Sequence, residues 1–308
     1  MISKSILKRK LNTKLFIGVL SKTIWYIVIF GLCFQILFPI FTKTMQSFMA
    51  VEDLTDPTVK LYPKHFDVYF FRRAMDLMEY WRSALNTLIV SLTVSVLQML
   101  ICTIVGYGFA RFNFKGKGII FAGVLLTLLI PPHLYSTSLY LYFRYFGLPF
   151  LPKINAIDTP LSYIVLSLTA TGLKNGLYIY LMRQFFKGMP KELEESAYID
   201  GYGVFGTFFK IMLPNASNMI ITILVLSFAW QWTDVFYTSI LNYQNTTLSS
   251  SLLRHIVNIA ADGSRLDPIQ FYVLRNTGCL LIIIPLIIIY AVAQKRLSEG
   301  IERSGIVG

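Results

Sequence analysis

The chain has 308 residues, 55% of them hydrophobic and only 14% charged, where soluble domains carry about 25% charged residues. Its formal net charge is +12 at pH 7, yet the basic residues sit between apolar runs. They form no basic stripe, and no zinc-binding or RNA-binding motif accompanies them, so nucleic acid is not the expected partner. Cys33, Cys102 and Cys279 all fall inside apolar runs and form no C-x-x-C pair. They read as small buried hydrophobes, with neither a disulfide framework nor a metal site expected.

Six apolar segments follow one another along the chain. They are 24–41, 84–110, 118–143 (with His133 inside), 161–182 (interrupted by Lys174), 211–233 (ended by Asp234) and 276–294. A spanning helix needs about 20 residues, so the segments predict an all-α, polytopic membrane protein with six transmembrane helices. The fourth is the weakest of the set, because a charge within the bilayer is costly. The first has a basic front (Lys4, Lys8, Arg9, Lys10, Lys14 and Lys22), but its apolar run is too long for a signal peptide. No small-x-small cleavage site follows Phe41, and the segment is expected to persist as a helix.

With the N-terminus inside, the inner segments hold 16 basic residues and the outer ones 9. That bias puts both termini in the cytoplasm. The expected organisation is a basic cytoplasmic segment 1–23, a six-span domain 24–295 and a cytoplasmic tail 296–308. The outer segment 43–82 also holds six acids, Glu52, Asp53, Asp56, Asp67, Asp76 and Glu79. Within it, residues 67–81 predict a helix lying on the outer surface, with Tyr69, Phe70, Phe71, Tyr80 and Trp81 at the interface. Pro131-Pro132 in the third segment and Pro285 in the sixth predict kinks. Those kinks either shape the bundle or mark a hinge beside a translocation path.

The inner segment 184–216 is too long for a plain loop in a compact bundle, so structure of its own is expected. Pro190 suits a first helical turn, and Glu192, Glu194 and Glu195 suit the positive end of the helix dipole. Leu193 and Ala197 share a face at i, i+4. Gly201 supplies a left-handed end, and a second helical run, 204–212, is expected to stop at Pro214. A short helix, a glycine turn and a second short helix result. Two uses remain open for such a unit: docking into a groove on a moving partner, or resting on lipid headgroups.

The run Glu195-Ser196-Ala197, three residues, Gly201, nine residues, then Ile211-Met212-Leu213-Pro214 resembles the EAA loop of ABC importer permeases. The spacing matches throughout, and Ser196 stands where that pattern has its first alanine. Met189-Pro190-Lys191-Glu192-Leu193 and Tyr198-Ile199-Asp200-Gly201 are similar to the carbohydrate branch of these permeases, the branch of the smaller maltose-type permease. So is Trp232-Thr233-Asp234-Val235-Phe236, with Thr233 in place of asparagine. The resemblance covers about residues 80–295. It implies the type I importer permease fold in a bacterial plasma membrane. It also implies a second homologous permease, two ATP-binding subunits and an extracellular sugar-binding protein as partners. Glu194, Glu195, Ser196, Ala197, Asp200, Gly201, Leu213 and Pro214 would then form the coupling site for the ATPase. No G-x-x-x-x-G-K-[ST] loop occurs in the chain, so no cofactor is expected here; ATP and magnesium would belong to the partner. No catalytic residue is expected either.

An intramembrane polar group is a functional candidate by default. Sugar hydroxyls need hydrogen-bond partners, and the apolar faces of sugar rings pack on Trp and Tyr. Lys174, Asn175, Tyr178, Trp230, Trp232 and Asp234 are therefore candidates for a substrate path. Four of these have a structural alternative: Lys174 paired with an acid such as Asp234, and Trp230 and Trp232 as interface anchors. An ion-coupled secondary transporter would need acids within the spans, and only Asp234 qualifies. An intramembrane hydrolase would need a serine–lysine, paired-aspartate or metal constellation, and His65, His133 and His255 are scattered. An ABC permease for a non-sugar solute would share the fold.

Overall fold

The computed structural model describes residues 2–147, 152–242, 246–257 and 267–305, with side chains between 18 and 295. Among these residues the structure is helical. Its only β pairings are two isolated bridges, Met49 with Phe66 and Phe146 with Ile154. The chain forms two compact units, Met1–Arg73 with Arg265–Thr277, and Ala74–Ser264 with Gly278–Gly308.

In the first unit, α1 (Ile2–Ser47) runs without a break through the basic segment and the first apolar segment. The apolar part shows every side chain to the outside, as a helix facing lipid does. Its far end is tied to the start of α12 (Pro268–Gly305). Lys43 Nζ donates to Tyr272 Oη at 2.8 Å and to Asn276 Oδ1 at 3.0 Å, and Thr277 Oγ1 donates to Ser47 Oγ. The following loop closes on Asp53, which is 3% exposed. The Asp53 carboxylate accepts from the backbone N–H groups of Lys64 and His65, both at 2.8 Å, and from His65 Nδ1 at 2.9 Å. Those bonds, that of the His65 N–H foremost, hold the Asp53 carboxyl below the usual carboxylate range. Phe48 stacks on Phe66 and lies against Phe71.

The expected surface helix 67–81 is shorter than predicted, and α2 covers Tyr69–Leu77. Glu79 adopts a left-handed conformation, φ 44°, and the chain turns there. Tyr80 and Trp81 thus open the next helix rather than close this one.

In the second unit, α3 (Tyr80–Arg111) is the central element. It packs against α6 (Pro160–Leu168), α7 (Asn175–Gly188) and α10 (Ser217–Trp232). Its buried face runs through Ser83, Thr87, Ser91, Ser95, Gln98, Cys102 and Gly106, a stripe at mostly four-residue spacing. Small residues let membrane helices approach closely where no hydrophobic effect drives them together. The contact is tightest at Gly106, where an added Cβ would lie 2.4 Å from Met182 Cβ. Thr87 and Thr103 turn their hydroxyls back to the carbonyls of Ser83 and Met99, so the polar stripe leaves few donors bare. Below it Tyr107, Phe186, Phe208 and Met212 build an apolar core.

Among the described residues, three helices are long and apolar enough to cross a membrane: Gly18–Ser47, Tyr80–Arg111 and Pro268–Lys295. Pro285 lies inside the last of these without ending it. The third and fifth apolar segments belong to bent pairs. Lys117–Leu129 (α4) meets Pro132–Arg144 at 99°, and Val204–Asn215 (α9) meets α10 at 74°, giving up to five spans if each pair is one. The kink predicted at Pro131-Pro132 is thus a full break, followed by a 3-10 turn at Pro132–Tyr135 and α5 (Ser136–Arg144). Segment 161–182, expected as one helix, is two pieces, α6 and α7, neither of which crosses alone. The polar run 169–175 is the reason. Thr169 Oγ1 bonds the Val165 carbonyl and the Thr171 hydroxyl, and Ala170 and Lys174 take positive φ, 56° and 61°.

The break keeps its backbone paired. Leu166 O accepts from the N–H groups of Thr171 and Gly172, and Leu173 O accepts from Gln98 Nε2 at 3.1 Å. Gln98 Oε1 in turn accepts from Ser227 Oγ on α10. Irregular backbone within a membrane persists only where protein groups satisfy it in this way.

Candidate coupling loop and mid-span cavity

The loop 184–216 folds as the spacing predicted, with differences at its edges. Pro190 precedes the first helix, α8 (Glu192–Ile199), instead of entering it. Gly201 ends the unit with φ 82° and has open space around it, so backbone conformation alone favours glycine there. Tyr202 N–H closes the turn on Ala197 O at 2.9 Å. The second helix does not stop at Pro214. A π turn at Phe208–Met212 precedes it, and the Leu213 N–H reaches back to Phe208 O. The widened turn shifts the bonding by one residue, and the helix continues to Asn215 before breaking at Ala216.

Leu193 and Ala197 do not share a buried face; Ala197 is 2% exposed and Leu193 is 37% exposed. The anchor is instead Glu194. Its Oε1 accepts from Tyr107 Oη at 2.8 Å, and its Oε2 lies 3.3 Å from Arg111 Nε. Arg111 also donates to the Met189 carbonyl at 2.9 Å. Because Arg111 and Glu194 are both largely buried, the pair is shielded from solvent screening. It pins α8 to the end of α3. Glu195, Ser196 and Asp200 are exposed, as are Ile199, Phe205 and Phe209. Leu213 packs partly against the core, while Pro214 is exposed.

The substrate-path candidates divide. Trp232 is buried and donates Nε1 to Ile282 O at 3.0 Å. Asp234, also buried, accepts from the N–H groups of Tyr237 and Thr238 and so caps α11 (Phe236–Leu241). Tyr178 is fully buried in the apolar core. All three side chains are buried inside the bundle. Lys174 does not pair with Asp234; its Nζ lies 4.8 Å from the centre of the Trp230 ring, a cation–π contact.

Lys174 and Asn175 line a cavity of about 590 Å³. Its walls come from both helix breaks: Ile130 and Pro132 from one, residues 169–174 from the other. Tyr135 and Tyr237 face each other in it, their hydroxyls 3.2 Å apart. The sequence singled out neither tyrosine for this role, nor Gln98, Tyr107 or Arg111. Tyr135, Gln98, Tyr107 and Arg111 sit in an apolar run or at its end, where no local pattern marks them, and Tyr237 lies just past one.

The comparisons with known proteins agree with this architecture. The family described as the binding-protein-dependent transport system inner membrane component matches residues 99–303. An arabinooligosaccharides transport system permease protein of Halalkalibacterium halodurans is 26% identical over 231 residues, covering 74% of this chain and 75% of the relative. A maltodextrin transport system permease protein of Bacillus subtilis is 27% identical over 242 residues, 77% and 80% of the two chains. Among solved structures, a chain of a bacterial ABC transporter involved in the import of the acidic polysaccharide alginate matches with a TM-score of 0.69. It covers 88% of this chain and 95% of its own, at 20% identity, which establishes the permease fold. The chain is a multi-pass inner-membrane transport subunit and belongs to the binding-protein-dependent transport system inner membrane component family.

Proposed function

We propose that this chain is one of the two permeases of an ATP-driven sugar or oligosaccharide importer, and that it crosses the membrane six times with both termini in the cytoplasm. In this reading the broken segment 161–182 counts as a full span, its two pieces joined across the polar run. An extracellular binding protein delivers the sugar. Two ATP-binding subunits, which hold ATP and magnesium, supply the energy. The sugar assignment rests on the transport named for the relatives, arabinooligosaccharides and maltodextrin, and on the carbohydrate-type residues around the loop.

The observation that carries the reading is the inner loop. Glu194 fixes α8 to α3 through Tyr107 and Arg111, while Glu195, Ser196, Ile199 and Phe205 stay exposed. A partner gripping the outer face of α8 moves α3 with it. An amphipathic helix resting on headgroups would need no buried ion pair to the bundle. As for ion coupling, Asp234 is occupied in capping a helix, which leaves the ion-driven alternative without its one acid. The test is purification through a C-terminal tag in mild detergent. An ATP-binding subunit and a second permease are expected to come with the chain, and a folded chain that comes alone would overturn the reading. A reporter active only outside the cell, fused after Gly308, is expected to be silent; activity would overturn the inward C-terminus.

A further inference from the structure

We propose that Lys43 and Arg275 form a binding site for the phosphate of an anionic phospholipid, at the membrane edge where the end of α1 meets the start of α12. Lys43 Nζ lies 4.7 Å from the centre of the Tyr272 ring, and the Arg275 guanidinium carbon lies 5.7 Å from the same centre. Two cations thus converge on one tyrosine. Their mutual repulsion is stronger beside a bilayer than in water, because the dielectric is lower there. No carboxylate relieves it: neither Lys43 nor Arg275 has an acidic partner among the described residues. Of the acids closest along the chain, Glu52 is exposed and pairs with neither. Asp53 is bonded to His65, Asp56 to Lys64, and Asp267 to the Ile269 N–H. Lys43 is held by neutral acceptors only, the Tyr272 hydroxyl at 2.8 Å and Asn276 Oδ1 at 3.0 Å.

Depth and chemistry favour a lipid as the occupant. The exposed apolar side chains of α1 run through Phe38 and Ile40 to Phe41, and Lys43 comes two residues later. The apolar span of α12 begins at Pro268, so Arg275 lies about two turns from that end. Tyr272 is 41% exposed and Arg275 is exposed, so both are open to a ligand. Tyrosine together with lysine and arginine at the end of a span marks the level of the headgroups. A phosphodiester brings one negative charge and two free oxygens. It can accept from the Lys43 ammonium and the Arg275 guanidinium together, and charge-assisted bonds of this kind are the strong ones. The site also has a use. The apolar part of α1 buries no side chain, and a phosphate bridging Lys43 and Arg275 adds to the hold of α1 on α12.

The test is native mass spectrometry of the importer assembled on this chain, purified in mild detergent and titrated with phosphatidylglycerol or phosphatidylcholine. The count is equally informative on the chain alone, so it does not depend on the importer reading. The natural chain is expected to take up phosphatidylglycerol several-fold more tightly, and Arg275→Gln to carry one fewer of these lipids at saturation. Arg275 makes no hydrogen bond to the Lys43, Tyr272 and Asn276 tie, which that change leaves intact. Asn276→Asp keeps an acceptor for Lys43 and supplies a negative charge from within. It is expected to lose the same lipid while its thermal unfolding midpoint holds. Equal lipid counts in the natural chain and both variants would overturn the site. Displacement of the lipid by inorganic phosphate at matched concentration would replace the lipid with a free anion and overturn its assignment. Retained lipid with weaker docking of the sugar-binding protein in Arg275→Gln would also overturn it, in favour of an acidic protein surface.

Discussion

Two buried carboxylates show how much of this molecule rests on single side chains. Glu194 carries both bonds that join α8 to α3. Removing one member of a buried pair leaves the other charge uncompensated and costs about 3–5 kcal/mol. Glu194→Ala and Arg111→Ala are each expected to lower uptake by the reconstituted importer sharply, with the chain still inserted. The double variant should be no worse than the poorer single one, since both break the same link. Full additivity in the uptake assay would show that the two residues act separately. Asp53 plays the corresponding part in the loop after α1. Its carboxyl is held below its ordinary value, so its contribution to the loop is complete at neutral pH. That contribution is lost only as acid protonates it in the folded state, below the usual carboxylate range. Limited proteolysis of segment 54–63 is expected to accelerate at strongly acidic pH in the natural chain and already at pH 7 in Asp53→Ala. Equal cleavage of the two at pH 7 would remove Asp53 from this role.

At the scale of elements, packing is governed by what is small. The stripe from Ser83 to Gly106 lets α3 lie against its neighbours, and Gly106 leaves room for Met182 and nothing more. Gly106→Val is expected to push α7 away and lower the thermal unfolding midpoint in detergent. Overpacking of this kind costs about 1–3 kcal/mol. Gly108→Val serves as the control, since a Cβ there meets only Phe112 Cδ2 at 3.9 Å. Similar losses at both positions would mean that helix propensity, not close approach, sets the effect. The inner loop makes the converse point. Gly201 has space on every side, and its requirement is one of conformation.

For the whole molecule, what the sequence disclosed and what it hid follow from range. Apolar runs are local, so 84–110 and 276–294 were legible as spans from composition alone. The end of α8 at Gly201 was legible because a left-handed turn needs one residue type. Segment 161–182 misled because its mean character is apolar, while its helix is undone by Thr169, Thr171 and Gln98, the last of these on another helix. The tie from Glu194 to Tyr107 joins residues 87 positions apart, and no spacing rule reaches that far. Trp232 and Asp234 stood out in the sequence as polar groups beside an apolar run; their partners are backbone groups, which a sequence does not display.

The lone lysine beside the two helix breaks has a further consequence, for electrical tightness. A pocket between helix breaks can admit water, and water there thins the barrier that keeps protons and sodium ions out. A fixed positive charge at the pocket wall raises that barrier again for cations, as charged groups do in selective pores. Lys174 holds that position. Lys174→Gln is therefore expected to increase the passive proton conductance of vesicles carrying the importer, measured with a pH-sensitive dye under an imposed potential. Unchanged conductance would show that the pocket is sealed from ions by something other than charge. By this account the same side chain that flanks the cavity also protects the membrane potential of the cell that feeds through it.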